Sequence, residues 1–193
     1  MLCEFVQQVE EVAQEVVDNV HTALPGKIIS FNPAKCLAKV KPIGRFLTPE
    51  NEIMDYPIIV DVPVMFPFSV KVEVGIFFPV KPGDFCTIIV SEAELDEWRT
   101  GAISDVTLRH DLTSAIVIPG LLKKGNDLTK ESDNDNAAII AAKNTKVKVV
   151  KDSVKIFVKD TLVADVKKNK VEITGDVSVK GNISCTGSIT AGT

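Results

Sequence analysis

Val171-Glu172-Ile173-Thr174-Gly175-Asp176-Val177-Ser178-Val179-Lys180-Gly181-Asn182-Ile183-Ser184-Cys185-Thr186-Gly187-Ser188-Ile189-Thr190-Ala191-Gly192 is the stretch on which the reading of this chain turns. Every odd position is apolar or Gly, every even position is polar or Gly, and Gly recurs every six residues at 175, 181 and 187. A period of two sends successive side chains to opposite faces of an extended strand, so one face of this ribbon is aliphatic and the other hydrophilic. A lone ribbon of that kind does not hold itself. Ordering each residue costs about 1–2 kcal/mol. Each aliphatic side chain returns at most about 1.5–3 kcal/mol, and only once something covers it. Both edges also leave backbone groups unpaired.

Two architectures supply the cover. A chain can coil on itself as a β-helix, which needs at least three rungs and a terminal cap. Alternatively, three copies can intertwine about a threefold axis, each giving one wall of a triangular prism. The glycine repeats here amount to about one rung of a single-chain helix, too few to stand alone. The expectation is therefore an intertwined triple-stranded β-helix, a β-prism, formed by a homotrimer over residues 137–193. Its axis is predicted to hold Val171, Ile173, Val177, Val179, Ile183, Cys185 and Ile189, with Gly175, Gly181 and Gly187 at corners where backbones approach. An object with closed edges and a hydrophilic outside suits a stiff shaft.

Upstream, shorter alternations recur: Val147 and Val149; Val154, Ile156 and Val158; Leu162, Ala164 and Val166. Charged turns at 151–153, 159–161 and 167–170 separate them. Residues 123–136, KKGNDLTKESDNDN, are polar without periodicity and read as a linker or exposed loop. Residues 25–122 carry β signals. These are a strand over 27–31, a turn at Asn32-Pro33, a noisier strand over 35–43 and an edge or irregular strand over 58–68 with Pro63 and Pro67. A half-buried strand at Val70, Val72 and Val74 follows, then a turn at Pro82-Gly83-Asp84 and apolar strands over 85–90 and 115–118. With a short acidic helix at 92–99, they predict a compact OB-type barrel. The predicted fold class is thus mainly β, with an N-terminal helix, a barrel, and then the trimeric spike.

At the N-terminus, Leu2, Phe5, Val6, Val9, Ala13, Val16 and Val20 recur at spacings of three and four, with acids over most of the remainder. Residues 1–24 are read as an amphipathic helix closed by Pro25-Gly26, packing on its own domain or docking on a partner. Charge divides unevenly. Residues 1–120 hold 9 basic and 17 acidic side chains, whereas 121–193 hold 13 Lys, no Arg and 9 acids. The aromatics lie in the acidic part and the lysines in an almost aromatic-free part, which disfavours a nucleic-acid groove. Cys3, Cys36, Cys86 and Cys185 show no C-x-x-C spacing and read as free thiols of a chain made in the cytoplasm. Two His almost ninety residues apart give a metal site little to build on, so no metal and no cofactor are expected.

Several ordered blocks resemble one family: Asp61-Val62-Pro63-Val64-Met65-Phe66-Pro67, Phe78-Pro79-Val80-Lys81-Pro82-Gly83-Asp84, Leu95-Asp96-Glu97-Trp98, Leu108-Arg109-His110-Asp111-Leu112 and Ile118-Pro119-Gly120-Leu121. The opening Pro25-Gly26-Lys27-Ile28-Ile29-Ser30-Phe31-Asn32-Pro33 fits the same pattern. They are similar to the N-terminal OB domains of central spike proteins from contractile phage tails and phage-tail-like bacteriocins, the baseplate assembly protein V type. The family-pattern residues are Pro63, Phe66, Pro67, Gly83, Asp84, Trp98, His110, Asp111, Pro119 and Gly120.

The resemblance implies a homotrimer whose OB domains attach to a baseplate hub protein and whose β-helix is driven through the target cell envelope on contraction. It implies a virion or tail-like particle and a mechanical function with no catalytic residues. Many members end in an apex where a His-x-His pair from each chain binds iron. Here no His follows His110 and the repeat runs to Thr193, so a blunt platform exposing Ile189 and Ala191 is expected, capped by a separate small tip protein. His110-Asp111 is read as a loop pair making local hydrogen bonds rather than a catalytic dyad, and Asp84 as a turn residue. The competing reading is an OB module binding single-stranded nucleic acid or carbohydrate, carried on a β-helical trimerisation stalk.

Overall fold

The computed structural model describes residues 2–18, 20–48, 52–101 and 109–190. The chain divides into two units between Lys123 and Lys124. The first runs α1 (Leu2–Asp18), β1 (Ala23–Asn32), β2 (Leu37–Pro42), β3 (Arg45–Leu47), β4 (Ile53–Asp55), β5 (Ile59–Pro63), β6 (Phe68–Ser69), β7 (Val74–Gly75), β8 (Phe85–Val90), α2 (Leu95–Thr100) and β9 (Ala115–Pro119). The second runs α3 (Asp127–Asp135), β10 (Ala138–Ala142), β11 (Thr145–Val150), β12 (Ser153–Val158), β13 (Thr161–Lys167) and β14 (Lys170–Ile173). It is a mainly β molecule with three helices among the described residues.

In the first unit, five antiparallel strands form one sheet in the order β5-β2-β1-β8-β9. The sheet curls into a half-barrel. Past the end of β5, Val64 makes a parallel bridge to Val117 of β9, and the Met65 N–H donates to the Val117 carbonyl at 2.8 Å. Alternate residues of the curled sheet point inward, so Ile28, Val40, Val62, Ile88 and Val117 are fully buried together with Cys86. Burial pushes the Cys86 thiol up to about 11, because a thiolate there would have no water around it.

Three readings of this half change. Pro25-Gly26 does not close the helix, which ends at Asp18; both residues lie inside β1. Gly26 pairs with Cys86 and Pro42, and a methyl group there would meet Ile88 Cδ1 at 2.6 Å, so the glycine serves close strand packing. Val70, Val72 and Val74 do not make a half-buried strand: 70–73 are the turn between β6 and β7, and all three valines are well exposed. The alternation is genuine, but no second layer covers that hairpin, and Glu73 at φ 54° turns the backbone. Between β2 and β5, β3 and β4 form a hairpin that the sequence pattern does not announce, since three-residue strands are too short to show a period. The Asp55 carboxylate forms ion pairs with Lys41 and Arg45, each at 3.5 Å, at the end of that hairpin.

In the second unit, β10 to β14 form an antiparallel meander in sequence order. The turns fall at the charged positions read from sequence, but the ladders run within one chain, so residues 138–173 are not an intertwined ribbon. Short connections explain this. Two residues separate neighbouring strands, and a strand finds its own neighbour before a sister chain. The polar stretch 123–136 is not all loop. Residues 127–135 form α3, started by a capping box in which the Asn126 side chain accepts from the Thr129 N–H and the Thr129 hydroxyl accepts from the Asn126 N–H. Ala191, and Leu108 of the family pattern, lie outside the described residues.

Candidate functional site

The meander has two unlike faces. Register places Ile140, Val147, Ile156, Ala164 and Ile173 directly opposite one another across all five strands. A second row, Ala138, Val149, Val154, Val166 and Val171, lies beside it on the same face, two residues along each strand. The reverse face carries Lys148, Lys155, Asp165 and Glu172 in cross-strand register. Helix α3 sits on this charged face. Glu131 accepts from Lys146 at 2.6 Å and Lys148 at 2.9 Å, and Asp135 also pairs with Lys148. Those bonds hold the Glu131 carboxyl below its ordinary range and the Lys148 ammonium above its own. Ser132 adds a hydroxyl bond to the Ala137 carbonyl at 2.6 Å.

The aliphatic face has no such cover in this unit. Ile140 is 75% exposed and Ile173 56%, and Val147, Val149, Ile156, Val166 and Val171 all remain open. One aliphatic residue leaves the predicted set. The ladder shifts register after Ile156, so that Leu162 pairs with Phe157 and parts from Ala164 and Val166.

Val171 and Ile173 belong both to these rows and to the odd-numbered face of the glycine repeat, so the uncovered face continues into the ribbon. Residues 175–190 join no ladder among the described residues, and Val177, Val179, Ile183, Cys185 and Ile189 are exposed. Gly175 and Gly181 adopt φ of +123° and +156°, a backbone conformation that other residues rarely take. Gly187 does not share that conformation.

The family-pattern residues of the half-barrel are spread over its rim and turns. Asp84 closes the 81–84 turn by accepting from the Lys81 N–H at 2.7 Å, while Gly83 sits at φ 99° and its N–H donates to the Ile28 carbonyl. Asp111 accepts from the Thr113 hydroxyl and N–H, which hold its carboxyl below the ordinary range, and the neighbouring His110 N–H donates to the Ser91 carbonyl. Pro63 ends β5, Pro119 ends β9 opposite Cys86, and Gly120, at φ 101°, donates to Phe85. Trp98 stands out from α2, 73% exposed.

Phe66 meets Phe31, Phe77 and Phe78 at ring separations of 5.4–6.5 Å along a cleft of about 620 Å³. Lys81 is the cleft's one charged lining residue. Sequence reading quotes Phe66 and Phe78 only as pattern residues; the signal for a cleft is the density of Phe and Pro over 66–82. Among the described residues no three His, Cys, Asp or Glu side chains gather as metal ligands, and no helix is long and apolar enough to cross a membrane.

Residues 24–120, half of the chain and the span of the half-barrel, match the family described as the phage protein Gp138 N-terminal domain. The chain belongs to that family, and so to a class of phage proteins. No curated protein matches it.

Proposed function

We propose that this member of the Gp138 N-terminal domain family is the central spike of a contractile injection tail: a homotrimer attached to the baseplate hub through its half-barrel, an OB-type module, and carried through the target envelope by its C-terminal shaft. The observation that carries this reading is the uncovered aliphatic face, two five-residue rows that run on into the odd positions of 171–189. An exposed apolar surface of that length on one chain calls for sister copies to cover it. Three copies facing inward would bury the rows as a prism and leave α3 and the lysines outside. Residues 175–190 would pair between chains, where no strand of their own chain serves them. The role is mechanical, with no bond made or broken.

Light scattering or native mass spectrometry of the full chain tests this, with three times the monomer mass expected. A well-folded monomer with an ordered ribbon would overturn it. The aromatic cleft favours one competitor, a binding module for single-stranded nucleic acid or sugar. The acidic balance of residues 1–120 weighs against nucleic acid. A gel shift at low salt separates the two, and the spike reading expects none.

A further inference from the structure

We infer that α1 is one strand of a parallel three-helix coiled coil formed with two further copies of this chain. The inference rests on the trimer proposed above and extends it to the opposite end of the sequence.

Positions 2, 5, 9, 12 and 16 follow an unbroken 3-4-3-4 spacing, which makes Leu2, Val9 and Val16 the a positions and Phe5 and Val12 the d positions of a heptad. Val6 and Ala13 fall at e and widen the stripe. On the folded chain this stripe is open: Phe5 is 65% exposed, and Val6, Val9, Val12 and Val16 are exposed with it. A solitary helix of 17 residues, with β-branched valines along one side, is marginal in water, so α1 depends on a partner.

The residue types and charges select that partner. Dimeric coiled coils favour Leu at d, whereas β-branched residues at both a and d shift the preference towards three or more helices. Val12 occupies d, and no Leu does at any described d position. The segment has five acids and no Lys or Arg before Lys27, yet none of those acids falls at a, d or e. Glu10 is at b, Glu4, Glu11 and Asp18 are at c, and Glu15 is at g. Across a parallel seam g faces e of the next helix, and e is apolar here. Three acidic helices can therefore close without opposing like charges. A cyclic trimer relates all copies by one rotation, which also makes its helices parallel.

The test places the photo-crosslinker p-benzoylphenylalanine in the full chain at Phe5 (d) or at Gln7 (f), alongside native mass measurement. Trimeric mass with chain-to-chain products from position 5 and not from position 7 is the expected result. Val12→Asp should reduce the position 5 products to the level of position 7 while the mass stays trimeric. A trimer that gives no product from position 5, equal products from both, or a product with a different protein overturns the coiled coil and leaves the spike trimer standing. A monomeric mass overturns both.

Discussion

The half-barrel and the meander are both five-stranded antiparallel sheets, yet they resolve their apolar faces in opposite ways. The half-barrel curls until Val64 meets Val117 and its inward residues cover one another, so Ile28, Val40, Ile88 and Val117 end with no exposure at all. The meander keeps Ile140 to Ile173 and Ala138 to Val171 in open rows, and its one helix, α3, packs on the charged side. The helix thus covers the face that already suits water and leaves the aliphatic face bare, which is the contrast the proposed trimer accounts for. One sheet carries its own core; the other, in the proposed trimer, would supply one wall of a shared one.

The sharpest way to break this contrast is charge on the bare face. Ile156→Asp or Ile183→Asp would place three carboxylates in the prism, and each unpaired buried charge costs several kcal/mol. The trimer should dissociate by light scattering while the half-barrel keeps its own melting transition. Unchanged association by either variant would remove that residue from the interior. Next comes the converse change. Ile88→Ala opens a cavity in the closed core and should cost about 2–5 kcal/mol. Its denaturant midpoint should not depend on protein concentration, and the trimer mass should survive.

A smaller effect concerns α3. Glu131 has a lowered carboxyl value, so its contribution is present above the ordinary carboxylate range, about 4.3, and is lost as pH falls through the folded value. Lys148 is raised, so its contribution is present below about 10.4 and lost as pH rises through the folded value. Amide protection of α3, the exchange rate relative to that of an unstructured peptide at the same pH, should be greatest between those limits and fall outside them; a flat protection profile would mean the ion pairs do not anchor the helix. The smallest effect is Lys180→Asp. On the even face it should shift stability by about 0.5 kcal/mol or less by thermal melting, and a large loss would reverse the assignment of the two faces.

Much of this contrast is legible in the sequence, and what is not has physical causes. The strict alternation from Val171 fixes which residues share a face, and the turns at 151–152, 159–160 and 168–169 stand where charge interrupts the pattern. Alternation says nothing of which chain a strand pairs with, and so 138–173 read as intertwined when they form hairpins. Nor does a period of two reveal cover: Val70, Val72 and Val74 alternate as cleanly as any buried strand and lie on an open hairpin. The extra residue in β13 breaks parity at Leu162 without any sequence mark. Helix α3 has a helical start at Asn126 and Thr129, but its apolar content is too thin to show a stripe. The aromatic cleft is assembled from 30–36 and 66–82, two segments that only the curled sheet brings together.

The ribbon's missing ladder sets two clocks for maturation. Hairpins with two-residue turns close in microseconds from local contacts, so the meander is ready early. In the proposed trimer, residues 175–190 would wait for an encounter among three chains, a step whose speed rises with their concentration. Newly made subunits would thus circulate with ordered heads and unzipped tails, and dilution would stall the final winding long before it harmed either folded unit.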